Sequence, residues 1–251
     1  MEQRKCPSGA CPSLCLSQWF IGFLDYPKKV TCSHLYLIKI ESSENIEHPW
    51  ANKLEQEAEQ IFTKRYPAIY KHFEQFRTQL IARSDQGRFF WELRSCKYWQ
   101  EFEQPKIIIP AITNNVEYAP DSLGYYSNDK TSICIPKDIN YTSGILNSAL
   151  MWWFIQQIAA SRQGGFFEFK PAYVSQIPII NATKTQRTAI EKLVQKCLDA
   201  KKCDRHADTS KLENAIDRLV YKLYQLTYDE IKIIDPEFKL TEQEYKAIKI
   251  E

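Results

Sequence analysis

The chain has 251 residues, 44% of them hydrophobic and 25% charged, which is enough apolar surface to build a core and too much for a disordered chain. Its formal net charge of +2 excludes an argument for nucleic acid from the sum alone, so the distribution of charge carries the information. Eight cysteines with no even ladder of spacings, in a chain this long, exclude the disulfide-stapled secreted class and point to mostly reduced thiols in the cytoplasm.

Residues 1–40 show no sustained hydrophobic period and are left unassigned. Cys6, Cys11, Cys15, Cys32 and His34 lie there, but no CxxC-type pair anchors them as a zinc module requires, so no metal site is assigned. The apolar patch from Leu14 to Leu24 is broken by Ser17 and Gln18, falls short of the roughly 20 residues of a membrane span, and ends without a small-residue cleavage site. No membrane partner is expected.

A helical connector is expected over residues 41–88. After Pro49, the positions Leu54, Ala58, Ile61 and Phe62 share one helical face, and residues 41–60 carry six Glu against Lys53 on the remainder. Pro67 is placed to open a second helix with Ile69, Phe73, Phe76 and Leu80 on one stripe, ending at the Gly87 turn. From Lys64 to Lys106 nine basic residues face five acidic ones. A second basic tract lies between Lys184 and Lys211. Taken alone, both tracts read as solvated helix faces.

A strand-rich domain is expected over residues 89–180. It opens on the aromatic FFWELRSCKYWQEF and the β-branched run KIIIPAI. Val116–Ala119, Leu123–Ser127 and Thr131–Ile135 read as short strands separated by turn formers, giving a small mixed sheet. Ser143 and Gly144 read as a turn, the apolar run Ala149 to Ile155 as a buried helix, and Phe166, Phe167 and Phe169 as a strand, followed by a closing strand near Pro178. Residues 181–251 form a C-terminal helical segment. It carries the stripe Ile190, Leu193, Val194, Cys197, Leu198 and three capping-box patterns, Ser210 with Glu213, Thr227 with Glu230, and Thr241 with Glu244. The whole is an α+β chain with a buried helix, flanked by helices.

Enzyme constellations are scarce, and no catalytic residue is assigned. No P-loop and no GxGxxG occurs, and the four histidines, His34, His48, His72 and His206, are far apart in sequence with no nucleophile motif beside them. His72 reads as an ordinary residue of the connector helix. Asp121, Glu168 and Lys170 superficially compose a Mg²⁺-dependent nuclease set. The same ExK tripeptide recurs at Glu230 and Glu237, and strand alternation makes Glu168 and Lys170 outward positions with Phe167 and Phe169 inward.

Sequence recognition of DNA has better material. Arginine pairs with guanine and glutamine with adenine at base edges, while lysines and arginines fix register on phosphates. Arg162 and Gln163 precede Gly164 and Gly165, whose freedom at positive φ lets a backbone approach a phosphate. The competing account is a helix C-terminus closed by glycine, with Arg162 near the negative end of its dipole. Asn114 and Asn115, beside Tyr118, form a second loop candidate. Arg94, Lys97, Lys106 and Lys170 are candidate phosphate partners.

Three stretches, WELRSCKYWQEFEQPKIIIPAI, YTSGILNSALMWWFIQQIAASRQGGFFEFKPAYVSQIPI and LENAIDRLVYKLYQLTYDEI, occur in an order that resembles the TaqI-like C-terminal specificity domain of type IIG restriction-modification proteins and adenine-N6 DNA methyltransferases. The resemblance covers about residues 60–235. It rests on the connector at Tyr66 to Phe73, a W-E-L-R strand at Trp91 to Arg94, the Leu146 to Ser148 helix start, the Gly164 and Gly165 pair, the Ile177 and Pro178 closure, and the Leu223 to Thr227 helix. It implies a target-recognition domain that binds double-stranded DNA. The family's asparagine-proline-proline-aromatic motif and its S-adenosylmethionine loop do not occur in this sequence. The resemblance therefore implies no cofactor in this chain, with S-adenosylmethionine on a catalytic methyltransferase domain or subunit. A truncated remnant that binds nothing and, less naturally, a stand-alone nuclease are the alternatives.

Overall fold

The structure is a computed structural model in which residues 16–19, 35–128, 130–204 and 206–249 are described; the N-terminal cysteines and His34 lie outside them. Among the described residues the chain is α+β, with ten helices and two three-stranded sheets, plus a two-stranded ribbon of β1 (Leu16–Trp19) and β2 (Leu35–Ile38). From Tyr36 onward the fold divides into two compact units, the first ending at Gln100. The expected boundary at residue 88 is thus displaced, and the reason is the aromatic run FFW.

In the first unit, α1 (Glu55–Arg65), α2 (Pro67–Glu74) and α3 (Arg77–Ala82) form the connector. The single second helix expected from Pro67 is broken at Gln75 and Phe76, and Leu54 caps α1 as an exposed residue instead of joining its buried face. Ala58 and Phe62 do face inward, onto Trp50, Phe89, Phe90 and Trp91. Trp91 stacks on Phe62 and on Phe89, with ring centroids 4.9 Å apart in each pair, and Trp50 meets Phe62 edge-on. The aromatics that were expected to open a strand domain are therefore the core of the connector unit. Trp91 to Arg94 is not a strand; only the bridge Gln86↔Leu93 pairs there. The turn is held instead by Glu92, fully buried, whose carboxylate accepts from Trp50 Nε1 at 2.9 Å, Ser43 N at 3.1 Å, Arg88 N at 3.0 Å and the Ser43 hydroxyl. Gly87 has to be glycine here, because an added Cβ would stand 2.6 Å from the Leu93 carbonyl oxygen.

The second unit holds both three-stranded sheets. In one, β3 (Lys106–Pro110) lies between β5 (Ala119–Asp121) and β6 (Thr131–Cys134); in the other, β8 (Phe166–Glu168) lies between β4 (Ile112–Thr113) and β7 (Ser161–Arg162). All four pairings are antiparallel. Two antiparallel sheets thus replace the one mixed sheet expected, since Pro110 and Ala111 let the chain leave one sheet and enter the next. Leu123–Ser127 is a loop, and residues 175–180 hold no strand.

The helix α4 (Ile139–Leu146) runs through Ser143 and Gly144, so these residues are not a turn. Gly144 is a packing position: a Cβ there would lie 2.5 Å from Ile190 Cγ2 and 3.0 Å from Val194 Cγ2, on α7 (Lys184–Cys203). The glycine lets two buried helices approach. Gly144→Val should destabilise the protein by about 1–3 kcal/mol, measurable as a lowered thermal midpoint.

The apolar run forms α5 (Ala149–Ile158), in which only Gln157 is exposed. Its Trp152 packs edge-on to Phe167 and flat on Phe169. The chain continues through α6 (Pro171–Val174), α7, α8 (Ser210–Leu223), α9 (Tyr228–Ile234) and α10 (Glu242–Ala247). The C-terminal helices share one core with α4 and α5: Ile190, Val194, Cys197, Ile216, Val220 and Tyr221 join Tyr141, Ile145, Met151 and Ile155. They belong to the second unit and are not an appended segment. The capping boxes at Thr227 with Glu230 and Thr241 with Glu244 form in full, as does one at Thr183 with Gln186. The pattern at Ser210 does not, because Thr209 occupies the cap and its hydroxyl bonds Glu213.

Asp217 on α8 accepts from Ala149 N at 2.9 Å, at the start of α5. Burial pushes its carboxyl up to about 7, against the pull of the Ala149 amide. Between about pH 4, the ordinary carboxylate value, and pH 7 the unfolded chain has released this proton while the folded chain keeps it. Stability therefore falls as pH rises through that window. Asp217→Asn, which keeps a carbonyl for Ala149, should gain about 1–2 kcal/mol over the native chain at pH 8 and nothing below pH 4. Urea unfolding at the two pH values measures it.

Candidate nucleic-acid interface

The antiparallel pairs Arg162↔Phe166 and Ser161↔Phe167 make residues 162–166 the end of a β-hairpin. Its tip, Gln163–Gly165, is a single 3₁₀ turn in which Gly164 and Gly165 have φ of 78° and 77°. An L side chain is strained at both positions. The glycine pair therefore closes a hairpin and not a helix C-terminus: α5 has already ended at Ile158, capped by Ala159.

Register settles what shares this end of the sheet. β4 pairs with β8 as Ile112↔Glu168 and Thr113↔Phe167, so Asn114 and Asn115 continue β4 toward the level of Phe166 and Gly165, the same end as the tip. Both are exposed. Asn115 Oδ1 accepts from Val116 N at 2.8 Å, and Thr113 Oγ1 accepts from Asn115 N at 3.2 Å, which fixes the loop. Among the described residues the side chains of Gln163 and Asn114 have no hydrogen-bond partner. Two loops read separately from the sequence thus converge on one edge.

Strand alternation sorts the faces. Thr113, Ser161 and Phe167 point one way, Phe167 onto Trp152 in the core; Ile112, Arg162, Phe166 and Glu168 point the other. Glu168 is not the outward solvent position expected. Its side chain is 5% exposed, covered by Arg162 at 55% and Lys170 at 59%. Arg162 donates from Nε at 2.8 Å and from a terminal nitrogen, both to Glu168 Oε1, while Lys170 Nζ lies 2.8 Å from Oε2. Hydrogen bonds from Lys170 and then Arg162 hold the Glu168 carboxyl below the usual carboxylate range, so it stays anionic at neutral pH and two cations share one negative charge. This clamp was missed in the sequence, although one acid bracketed by Arg162 and Lys170 was its visible signal.

Lys106 is a correction. It is fully buried in β3, paired with Asp121 and donating to the Phe102 carbonyl, and no phosphate can reach it. Asp121 also accepts from Leu123 N and Tyr125 N, each at 2.8 Å. The proposed nuclease set therefore does not assemble: Asp121 and Glu168 stand in different sheets, Asp121 tied to Lys106 and Glu168 to Arg162 and Lys170. Among the described residues no group of three or more His, Cys, Asp or Glu side chains is arranged to hold a metal, and no helix is long and apolar enough to cross a membrane. Arg94 and Lys97 lie in the first unit, exposed and without an ion-pair partner among the described residues. Beside Asn115 a cleft of 240 Å³ is lined by Trp152, Glu213 and Asp217, among others.

An α+β unit that gathers exposed Arg, Gln and Asn side chains at one end of a sheet, with Lys170 beyond the other end of β8 and one face of that sheet locked into the core, has the make-up of a macromolecular recognition module. The family model of the TaqI-like C-terminal specificity domain matches residues 34–179, more than half of the chain. The chain belongs to that family, the DNA sequence-recognition modules of restriction-modification enzymes. No curated protein matches it. The matched stretch begins earlier than the resemblance in the sequence and stops before α7, whose Ile190 and Val194 nevertheless complete the core against Gly144.

Proposed function

We propose that this chain is the specificity module of an adenine-N6 DNA methyltransferase or type IIG restriction-modification system, working in the cytoplasm with a methyltransferase domain or subunit that binds S-adenosylmethionine. It binds double-stranded DNA and holds its register while the catalytic partner acts on an extruded adenine. The observation that carries this reading is the hairpin end: Arg162 and Gln163 on a tip closed by two positive-φ glycines, with Asn114 and Asn115 beside it. Arg162, Gln163 and Asn114 supply base-edge chemistry. Lys170, with Arg94 and Lys97 on the connector unit, supplies phosphate contacts. Gly164 and Gly165 keep the tip free of Cβ atoms where backbone meets the duplex.

The test is fluorescence anisotropy on duplex DNA over a range of salt. The variant Arg162→Ala with Lys170→Ala should weaken binding roughly 10-fold or more and lower the salt slope by about 1, the share of the Lys170 phosphate contact. Unchanged affinity at low salt would place the interface elsewhere. No binding to any duplex, with or without a catalytic partner, would leave a remnant in place of a reader.

A further inference from the structure

We propose that Arg162 reads a guanine and that Glu168 is the positioning residue that aims it; this rests on the reading of the hairpin tip as the DNA-facing end. A guanidinium presents five N–H donors in a planar fork. Here the Nε side of the fork is already occupied, since Nε and one terminal nitrogen both donate to Glu168 Oε1. The opposite edge, made by the two terminal nitrogens, has no partner among the described residues. Two parallel N–H groups on that edge match the paired acceptors O6 and N7 of guanine in the major groove. Adenine offers N7 but replaces the second acceptor with an amino donor, so the same edge rejects it.

The environment makes the aim rigid. Glu168 is nearly buried while Arg162 is 55% exposed, so the pair has a fixed foot and a free end. Lys170 holds Oε2 at 2.8 Å, which keeps the carboxylate from swinging away when Arg162 engages DNA. The backbone under both residues is sheet: Arg162 pairs with Phe166, and Glu168 with Ile112. An arginine held in this way has given up much of its rotamer freedom before DNA arrives, which removes part of the ordering cost of recognition. Lysine at 162 would keep the charge and lose the fork.

The test is a selection of the full chain against a randomised duplex pool, with base preference scored at each position of the retained sequences. The native chain should enrich a motif with one strongly preferred guanine. Arg162→Lys should lower that preference about 10-fold or more and leave the other positions as they were. Glu168→Ala should relax the same position, and Glu168→Gln, which keeps an oxygen acceptor for Arg162, should retain part of it. Retention of the guanine by Arg162→Lys overturns the assignment of the reader, and an unrelaxed position in folded Glu168→Ala overturns the positioning role. In either case the DNA reading stands. A native pool with no motif overturns the DNA reading and this inference together.

Discussion

Lys106→Met should unfold far more readily than the native chain, by about 3–5 kcal/mol, although methionine fits the volume of the lysine stem. Lys106 and Asp121 are both fully buried on neighbouring strands. Removing the ammonium leaves a carboxylate with no countercharge in the interior, and most of the loss is the cost of that stranded charge. Lys106→Met combined with Asp121→Asn should recover more than half of the loss. Asparagine carries no charge and its one oxygen still accepts from Leu123 N or Tyr125 N, which bond different oxygens of the native carboxylate in the turn after β5; the bond to the other amide is lost. Urea unfolding of the four chains in a double-mutant cycle reads the coupling. Additivity of the two substitutions would contradict the pairing.

Glu92→Ala should be comparably severe, about 4 kcal/mol, because it orphans Trp50 Nε1, Ser43 N and Arg88 N at once inside the connector core. Glu92→Gln should fall between. One of its side-chain atoms still accepts, while its amide NH₂ faces donors where a carboxylate oxygen stood. The distinguishing observation is in tryptophan emission: Trp50 and Trp91 lie in this core, so unfolding of the alanine variant should shift their fluorescence at lower urea. A variant as stable as the native chain would remove Glu92 from its place as organiser of residues 43–92.

Much of the fold was legible where burial and local chemistry agree. The buried helix Ala149–Ile158, the stripes of α7 and α8 and two of three capping boxes announce themselves because period and cap fall at one place in the chain. Gly144 misled for a physical reason: a glycine required by helix–helix contact looks, in one dimension, the same as a glycine required by a turn. The run FFWELR misled likewise. Aromatic density marks burial, and only the long-range bonds of Glu92 to Ser43 and Trp50 show that these residues form a turn in a helical core. At the candidate site, Arg162 to Gly165, Lys170, Asn114 and Asn115 were visible from side-chain chemistry. Their convergence was not, because it depends on the β4–β8 register. Lys106 was indistinguishable in sequence from a surface lysine, since its partner lies fifteen residues away, across a strand pair.

The central claim is that the hairpin tip faces the bases of a duplex, and a photo-crosslinker placed at position 163 tests it most directly. The full chain carrying the crosslinker in place of Gln163, irradiated on duplex DNA with its catalytic partner or alone, should give covalent adducts to bases. The same probe in place of Ile233, an exposed residue of α9, should give few. Equal yields from the two positions, or adducts from Ile233 only, would contradict the account.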